Sequence, residues 1–157
     1  MIRIYLELKE LQNTENNMLY FKKLHEDAVI PQKAHSGDAG MDVYSIENIK
    51  IGPRSDIITG LGLACEFPSN YVLLVFNKSG RATKLKLDKG AEVIDSSYRG
   101  EIHIHMFNHS NEWVIIPKGE KIAQLILMPI WDGNPEEVDE LSDTSRGSGG
   151  FGSTGLK

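Results

Sequence analysis

The C-terminal segment combines residue types that bind nucleotides. Arg146 and Phe151 stand among glycines and serines between Ser145 and Gly155, with almost no apolar residue to bury. Glycine lets a backbone approach a ligand closely, the guanidinium of arginine is a planar fork that fits phosphate, and an aromatic ring offers a flat face for a base. The segment therefore indicates a nucleotide-binding arm. The alternative is a disordered Gly/Ser tail, which is common at chain termini.

Two carboxylates flank a glycine near residue 40. Asp42 enters a predicted strand in which Met41 and Val43 face one side and Asp42 faces the other. A carboxylate fixed on a strand can orient a nucleophilic or metal-bound water, and turn chemistry is the competing interpretation. For Asp38 the turn interpretation is favoured, because aspartate beside glycine is typical of turns.

A basic segment follows the apolar run that ends at Phe76. Lys78, Ser79, Gly80 and Arg81 place two cations, a hydroxyl and a glycine within four residues, which is a composition that suits phosphate. The segment lacks the spacing of a P-loop, so that class of NTPase is excluded. An ordinary basic turn is the alternative.

Residues 90–101 are predicted to form a hairpin with Asp95 and Tyr98 at its polar tip. Such a tip can form a pocket whose backbone edges read a base, although an ordinary hairpin also fits the pattern. His103 and His105 alternate on the strand that follows and would share one face, so they offer a weak indication of a transition-metal site. Cys65 stands in an apolar strand and is predicted to be a core residue.

The composition bounds the class of protein. A chain of 157 residues with 40% hydrophobic residues and a net charge of -5 is predicted to be one globular domain without general affinity for nucleic acid or membranes. A polyphosphate ligand would then need local cations and a divalent metal ion. The single Cys65 and the lack of a signal-peptide core favour the cytoplasm or another reducing intracellular compartment.

Short runs rich in β-branched and aromatic residues alternate with turn signals, which predicts an all-β sandwich or barrel. A short helix is expected only near residues 79–84. Residues 1–17 are predicted to form an extension of unknown role, residues 18–134 the β domain, and residues 135–157 an acidic linker with the glycine-rich arm. The predicted strands are 41–44, 57–59, 61–65, 71–76, 101–107, 113–116 and 122–130.

Placed in order, these segments resemble the homotrimeric deoxyuridine triphosphatases (dUTPases) from about Met18 to Gly155. The resemblance rests on five motifs in sequence order: Asp38-Ala39-Gly40-Met41-Asp42-Val43, Lys78-Ser79-Gly80, Val93-Ile94-Asp95 through Tyr98-Arg99-Gly100-Glu101, Gly119 through Leu125, and the glycine tail. It implies a jelly-roll-like β-barrel assembled as a homotrimer, with active sites shared between subunits and the arm exchanged. It also implies Mg²⁺-assisted hydrolysis of dUTP to dUMP and pyrophosphate, which keeps uracil out of DNA and supplies dUMP for dTMP synthesis.

The resemblance also assigns roles around the reacting phosphate. Asp42 would orient the water that attacks the α-phosphorus, and Mg²⁺ would be held by the triphosphate and waters, with Asp42 and Asp38 touching only those waters. The phosphates would be contacted by the following residues: Lys78, Ser79, Gly80, Gln124 and, at the terminal phosphate, Arg146.

The remaining implied roles concern the nucleoside. Backbone from Val93 through Ile94 to Asp95, with backbone around His103, would read uracil, and Asp95 would bind the sugar 3′-hydroxyl. Tyr98 would exclude a ribose 2′-hydroxyl. Phe151 would stack on the base and close the site, and Gly152 would also bind the substrate.

Four departures from the family pattern accompany the resemblance. Lysine replaces the usual arginine at Lys78 and Lys121, Arg81 stands where an apolar residue is usual, and Glu92 stands where glycine is frequent. Glu92 is expected to change a backbone angle or to point its carboxylate away from the pocket. The alternatives in function are a dCTP deaminase-like or bifunctional relative, and a dUTPase scaffold that binds a partner through residues 1–17.

Overall fold

The computed structural model describes residues 19–131 and 133–150, which form eleven strands and one short helix. The prediction for residues 1–17 and the roles given to Phe151 and Gly152 lie outside the described residues. The elements are β1 (Tyr20–Lys23), β2 (Met41–Tyr44), β3 (Ile49–Ile51), β4 (Asp56–Gly60), β5 (Leu63–Glu66), β6 (Tyr71–Phe76), α1 (Ser79–Leu85), β7 (Leu87–Gly90), β8 (Val93–Ile94), β9 (His103–Asn108), β10 (Val114–Ile116) and β11 (Lys121–Pro129).

All of the strand pairs are antiparallel. The largest sheet has the order β2-β11-β6-β8, a three-stranded sheet has the order β4-β9-β7, and two smaller sheets pair β1 with β5 and β3 with β10. The all-β prediction is confirmed, and so is each predicted strand to within a few residues. No helix in residues 19–131 and 133–150 is long and apolar enough to cross a membrane.

The core lies between the sheets and is built by alternation along the strands. On β9 the side chains of Ile104 and Met106 point inward and are buried, whereas His103 and His105 point outward. The central strand β11 buries Leu125 completely, and the neighbouring strand β6 does the same with Leu73. This packing holds β2, β6 and β11 rigidly side by side, and the candidate site is built on these strands.

Helix α1 begins three residues after the end of β6 and is capped at its C-terminus by Lys86, which has a left-handed backbone with φ 53°. The N–H of Lys86 donates to the carbonyl of Arg81, which satisfies one of the free carbonyls at the helix end. None of its seven residues is buried. The predicted short helix is therefore confirmed, and its position depends on a few partly buried side chains.

The predicted hairpin over residues 90–101 is wrong. β8 pairs with β6, where Val93 lies opposite Leu74, and β9 pairs with β4 and β7. The chain turns after Asp95, where the N–H of Tyr98 donates to the Asp95 carbonyl at 3.0 Å, and then crosses to another sheet. The sequence pattern cannot distinguish these arrangements, because a strand has the same alternation whichever neighbour it pairs with.

Candidate active site

Asp42 is a buried carboxylate held between two lysines. It lies on β2 with its Cα opposite that of Gln124 on β11, and only 6% of the residue is exposed. The Nζ of Lys78 donates to Asp42 Oδ1, and the Nζ of Lys121 lies 2.7 Å from Asp42 Oδ2. These three residues are called the lysine clamp below.

The electrostatics of the clamp favour the charged states of Asp42 and Lys121. Burial acts to raise the pKa of the Asp42 carboxyl, but the hydrogen bonds and charges of Lys121 and Lys78 outweigh it and hold the pKa below its ordinary value of 3.8. The Asp42 carboxylate in turn raises the pKa of Lys121 above 10.5. Asp42 is therefore a fixed anion at neutral pH, and its remaining lone pairs can accept hydrogen bonds from water.

Gln124 connects the clamp to the segment that was predicted to bind phosphate. Its Nε2 donates to the Asn77 carbonyl at 2.8 Å, and Asn77 precedes the clamp residue Lys78 directly. The side chain of Gln124 passes so close to Gly40 that a Cβ on residue 40 would overlap it. The structure thus brings together the predicted residues Asp42, Lys78 and Gln124.

A basic cavity of about 360 Å³ opens beside the clamp. Four cations line it, together with one glycine and one leucine: Lys78, Gly80, Arg81, Lys84, Leu85 and Lys121. Ser79 and Gly80 are exposed at the start of α1, next to this cavity. A concentration of positive charge in an otherwise acidic protein favours a polyanionic ligand at this place.

A second, smaller cavity of about 210 Å³ lies at β8 and the turn after it. The Tyr98 hydroxyl donates to the Glu101 carbonyl at 2.9 Å, and His103 Nδ1 lies 2.9 Å from the same oxygen. Among the described residues, the Asp95 carboxylate has no hydrogen-bond or ion-pair partner. The cavity is lined by Ala91, Val93, Ile94, Asp95, Tyr98, Glu101, Ile102 and His103, which include the five residues predicted there. We call it the β8 pocket.

Glu92 itself does not adopt a left-handed backbone conformation. The left-handed backbone in this segment falls at Ala91, with φ 51°. The Glu92 carboxylate forms an ion pair with Lys89 and does not line the β8 pocket, and the Glu92 carbonyl accepts from the Val75 N–H at 2.9 Å. Of the two expectations for Glu92, a carboxylate directed away from the pocket is confirmed.

The clamp and the β8 pocket lie on opposite edges of one sheet. β2 and β8 are the outer strands of the four-stranded sheet, with β11 and β6 between them. Three strand spacings place β2 and β8 about 14 Å apart. The predicted site residues therefore form two groups within one chain.

The described part of the arm forms hydrogen bonds only within itself. The Nε of Arg146 donates to the Gly149 carbonyl at 2.7 Å, and the Thr144 carbonyl accepts from the Gly147 N–H at 3.1 Å. No hydrogen bond or ion pair joins residues 133–150 to residues 19–131. Arg146 is thus presented on an exposed turn.

The other candidates are accounted for locally. The Asp38 carboxylate accepts from the His35 N–H at 2.8 Å and closes a turn, as favoured from the sequence. His105 Nε2 lies 2.9 Å from the carboxylate of Asp56. In the ranges that the structure describes, no three His, Cys, Asp or Glu side chains are arranged to hold a metal ion. Cys65 is a core residue as predicted, and burial raises the pKa of its thiol to about 11.

Lys121 has no role predicted from the sequence, and Arg81 is predicted there only as one cation of the basic segment. Arg81 donates through Nε to the Lys121 carbonyl at 2.9 Å and forms an ion pair with Glu120. Both residues had stood out as departures from the family pattern. That signal marked the positions. The contact of Lys121 with Asp42 depends on the pairing of β2 with β11, and the contacts of Arg81 depend on the position of α1 beside the start of β11.

The fold and the site define an antiparallel β-barrel protein with a basic cavity beside a buried carboxylate and a separate pocket suited to a small ring. A family model described as dUTPase matches residues 26–155, and the chain belongs to the dUTPase family. The jelly-roll-like, dUTPase-like fold class inferred from the motifs is therefore confirmed.

Named relatives are similar over nearly their whole length. A deoxyuridine 5'-triphosphate nucleotidohydrolase of Clostridioides difficile is 47% identical over 140 residues, covering 88% of this chain and 98% of the relative. The protein of the same name from Solanum lycopersicum is 40% identical over 153 residues, covering 96% and 90%.

Solved structures agree with the fold. The dUTPase of Staphylococcus bacteriophage 80alpha with dUPNHPP has a TM-score of 0.84 at 31% identity and covers 90% of this chain and 100% of its own. A mutant dUTPase from phage phi11 of S. aureus, described with a structural Mg(II) ion, has a TM-score of 0.74 at 27% identity and covers 79% and 98%.

Proposed function

We propose that this chain is a dUTP diphosphatase, which hydrolyses dUTP to dUMP and pyrophosphate. The proposal follows from membership of the dUTPase family and from relatives that carry the name deoxyuridine 5'-triphosphate nucleotidohydrolase. The observation that carries it in this structure is the buried Asp42 held by Lys78 and Lys121. A fixed anion beside a basic cavity suits attack by water on a bound polyphosphate, in which positioning and charge neutralisation dominate catalysis.

The β8 pocket is the proposed uracil site. Backbone groups of residues 93–95 and of His103 present fixed donors and acceptors, so a base with the wrong pattern leaves buried polar groups unpaired. Tyr98 is fixed by its hydrogen bond to the Glu101 carbonyl, and its ring fills space that a ribose 2′-hydroxyl would need. The exposed Asp95 carboxylate is available to accept a hydrogen bond from the sugar 3′-hydroxyl.

The basic cavity is the proposed triphosphate site. Lys78, Ser79, Gly80 and Gln124 would bind phosphate oxygens directly, and Arg146 of the arm would neutralise the terminal phosphate. Phe151 would stack on the base and Gly152 would close the site over it. Because these arm residues are needed only once substrate is bound, an exposed Arg146 in the free protein fits this role.

Mg²⁺ is the proposed cofactor, carried by the triphosphate. The donor set of the protein fits this mode, since the Asp42 carboxylate keeps lone pairs that can accept hydrogen bonds from metal-bound water. When bound, Mg²⁺ would supply charge neutralisation at the phosphates. The residues of this chain would then bind the nucleotide, exclude water and fix the attacking geometry.

Asp42 is the proposed water-orienting residue. It is rigidly held, and its lowered pKa keeps it ionised during turnover. The same lowered pKa makes it a weak proton acceptor. Asp95 is the alternative residue to orient the attacking water and accept its proton. Its carboxylate lacks a partner in the described ranges and lies in the pocket beside the proposed nucleoside.

The proposed assembly is a homotrimer with shared sites. The separation of about 14 Å between β2 and β8 within one sheet supports a site in which one subunit supplies the clamp and another supplies the β8 pocket. A third would lend its arm. The proposed organisation is an extension (residues 1–17), a barrel (18–134) and an arm (135–157), in a reducing compartment such as the cytoplasm, which a single buried Cys65 favours.

Pyrophosphate release from dUTP, dCTP, dTTP and UTP, with and without Mg²⁺, tests the proposal. We expect release from dUTP alone, and only with Mg²⁺ present. Ammonia from dCTP would instead identify a deaminase-like relative. Activity that survives deletion of residues 1–17, together with loss of a captured partner, would add a binding role for that segment.

The roles of the two carboxylates are separated by Asp42→Asn and Asp95→Asn. We expect Asp42→Asn to lower kcat for dUTP by at least about 10²-fold, while binding of a non-hydrolysable dUTP analogue by calorimetry stays within a few-fold. Near-normal turnover in Asp42→Asn, with loss in Asp95→Asn, would transfer the water-orienting role to Asp95.

A further inference from the structure

We infer that Arg81 is a positioning residue that keeps Lys121 on the same side of the sheet as Asp42. The inference deepens the proposed function and rests on it for its effect on turnover. It is drawn from a bulge in β11 and from the contacts of one guanidinium.

The bulge decides which way Lys121 points. Along β11, Lys121 lies opposite Tyr44, Ala123 opposite Val43 and Gln124 opposite Asp42, so Ile122 is an extra residue without a partner on β2. In a regular strand, residues 121 and 124 would face opposite sides of the sheet, because successive side chains alternate. Because of the extra residue, the side chains of Lys121 and Gln124 point to the same side of the sheet, and Lys121 therefore lies on the same face as Asp42.

The burial pattern agrees with this geometry. Ile122 and Ala123 are consecutive residues and are both buried, at 4% and 2% exposed, whereas a regular strand with only one face in the core buries every second side chain. On the other face, the Lys121 Nζ lies 5.9 Å from the ring centroid of Tyr44 and 2.7 Å from Asp42 Oδ2.

Arg81 supplies the partner that the bulge requires. A bulge disrupts the ladder locally and leaves backbone groups to be satisfied from elsewhere. The Nε of Arg81 donates to the Lys121 carbonyl at 2.9 Å, and its Nη2 pairs with the carboxylate of Glu120. The side chain is only 18% exposed, so this contact is well shielded from water.

The same contact ties helix α1 to β11. Ser79 and Gly80 begin the helix that carries Arg81, and Lys121 and Gln124 belong to the strand. None of the helix residues is buried in the core, so the guanidinium is a principal anchor between the phosphate-binding segment and the clamp. Loss of Arg81 should therefore make the position of the Lys121 side chain beside Asp42 less well defined, without changing the packing of the core.

A double-mutant cycle between Arg81→Met and Lys121→Met tests this inference. In the otherwise unchanged protein we expect Arg81→Met to lower kcat for dUTP by about tenfold, the effect of roughly 1.4 kcal/mol of transition-state stabilisation. In the Lys121→Met background we expect the same change to lower kcat less than twofold, because the group that Arg81 positions is gone. Equal factors in both backgrounds, or full activity in Arg81→Met, would overturn the inference.

One control variant and one substitute variant accompany the cycle. Arg54→Met removes a guanidinium that, within residues 19–131 and 133–150, bonds only the exposed Asn111 side chain, at 2.9 Å, and should leave kcat unchanged. If Arg81→Met does not fold, Glu120→Gln weakens the hold on the same guanidinium, and the cycle is run with it.

The cycle is also measured by urea unfolding, which requires no activity. If the unmodified protein releases no pyrophosphate from dUTP, the proposed function fails. The coupling between Arg81 and Lys121 in stability then still decides whether the bulge contact exists, and additive effects on unfolding would refute it.

Discussion

The side chain of Gln124 occupies the space in which a methyl group on Gly40 would lie. The Cδ of Gln124 is 2.8 Å from the Cβ position of residue 40, and its Cβ is 3.2 Å away. The absence of a side chain at Gly40 therefore allows the Gln124 amide to reach the Asn77 carbonyl. A glycine in the first motif thus sets the position of a side chain in the fourth.

Gly40→Ala should disturb substrate binding more than folding. The added methyl group pushes the Gln124 amide away from Asn77, which removes a hydrogen bond worth about 1 kcal/mol. We expect KM for dUTP to rise about fivefold, with a small change in Tm. Steady-state kinetics of Gly40→Ala, Gln124→Ala and the double variant check this. If the double variant is worse than Gln124→Ala by the full factor, the effect does not pass through Gln124.

The stability of the clamp should depend on pH in a defined direction. The pKa of Asp42 is lowered on folding, so its stabilising effect is present above the ordinary value of 3.8 and is lost as pH falls through the lower folded value. The pKa of Lys121 is raised on folding, so its effect is present below 10.5 and is lost as pH rises through the folded value. Both effects are present at neutral pH.

Asp42→Asn tests the part of this pH dependence that Asp42 causes at low pH. We expect the wild-type protein to exceed the variant in free energy of unfolding by a constant amount near pH 5 to 8. The difference should shrink below the ordinary pKa of 3.8. Urea unfolding from pH 3 to 8 measures it. A difference that grows towards low pH would mean that Asp42 is destabilised, and not stabilised, by its surroundings.

Ala91→Gly should stabilise the protein. Ala91 has φ 51°, a left-handed conformation that costs a residue with a Cβ about 1–2 kcal/mol. Glycine adopts this conformation without strain, and its cost is the additional conformational entropy that it loses on folding. We expect a gain of about 0.5–1 kcal/mol by urea unfolding, with uracil selectivity retained. Ala82→Gly in helix α1 is the matched control and should lose about 1 kcal/mol. A loss at both positions would show that Ala91 is not strained.

The sequence predicts most strands and helix α1 because their signals are local. Alternation along residues 41–44 and 71–76 requires no knowledge of the partner strand, and the basic segment after Phe76 marks the helix that follows. Five residues that line the β8 pocket were also predicted, although the hairpin that was expected to form the pocket is absent. Asp95 and Tyr98 were predicted from their side chains, whereas Val93, Ile94 and His103 came from the family resemblance.

The lysine clamp could not be predicted in the same way. The contact between Lys121 and Asp42 depends on one extra residue in β11, and a register shift of one residue leaves no local mark on the sequence. The separation of the clamp from the β8 pocket depends on the order of four strands that are distant in the chain. Both features follow from tertiary pairing, in which a shift of one residue reverses every side chain.

Arg146→Ala should lower kcat for dUTP by about 10²-fold or more, the scale for losing one preorganised donor at developing charge. Arg146 is exposed and bonds only the Gly149 carbonyl in the described residues, so the change should not affect folding. Arg54→Ala, at another exposed guanidinium, is the control and should retain full activity. An unchanged rate in Arg146→Ala would mean that the arm takes no part in turnover.

Mixing Asp42→Asn with Arg146→Ala shows whether the arm acts on a neighbouring subunit. Each variant alone should be nearly inactive. After the two are unfolded together and refolded, a site that takes its clamp from one chain and its arm from another can combine two intact parts. Random mixing then restores about a quarter of wild-type activity. If the arm closes the site of its own chain, every site keeps one defect, and the mixture stays as inactive as its components.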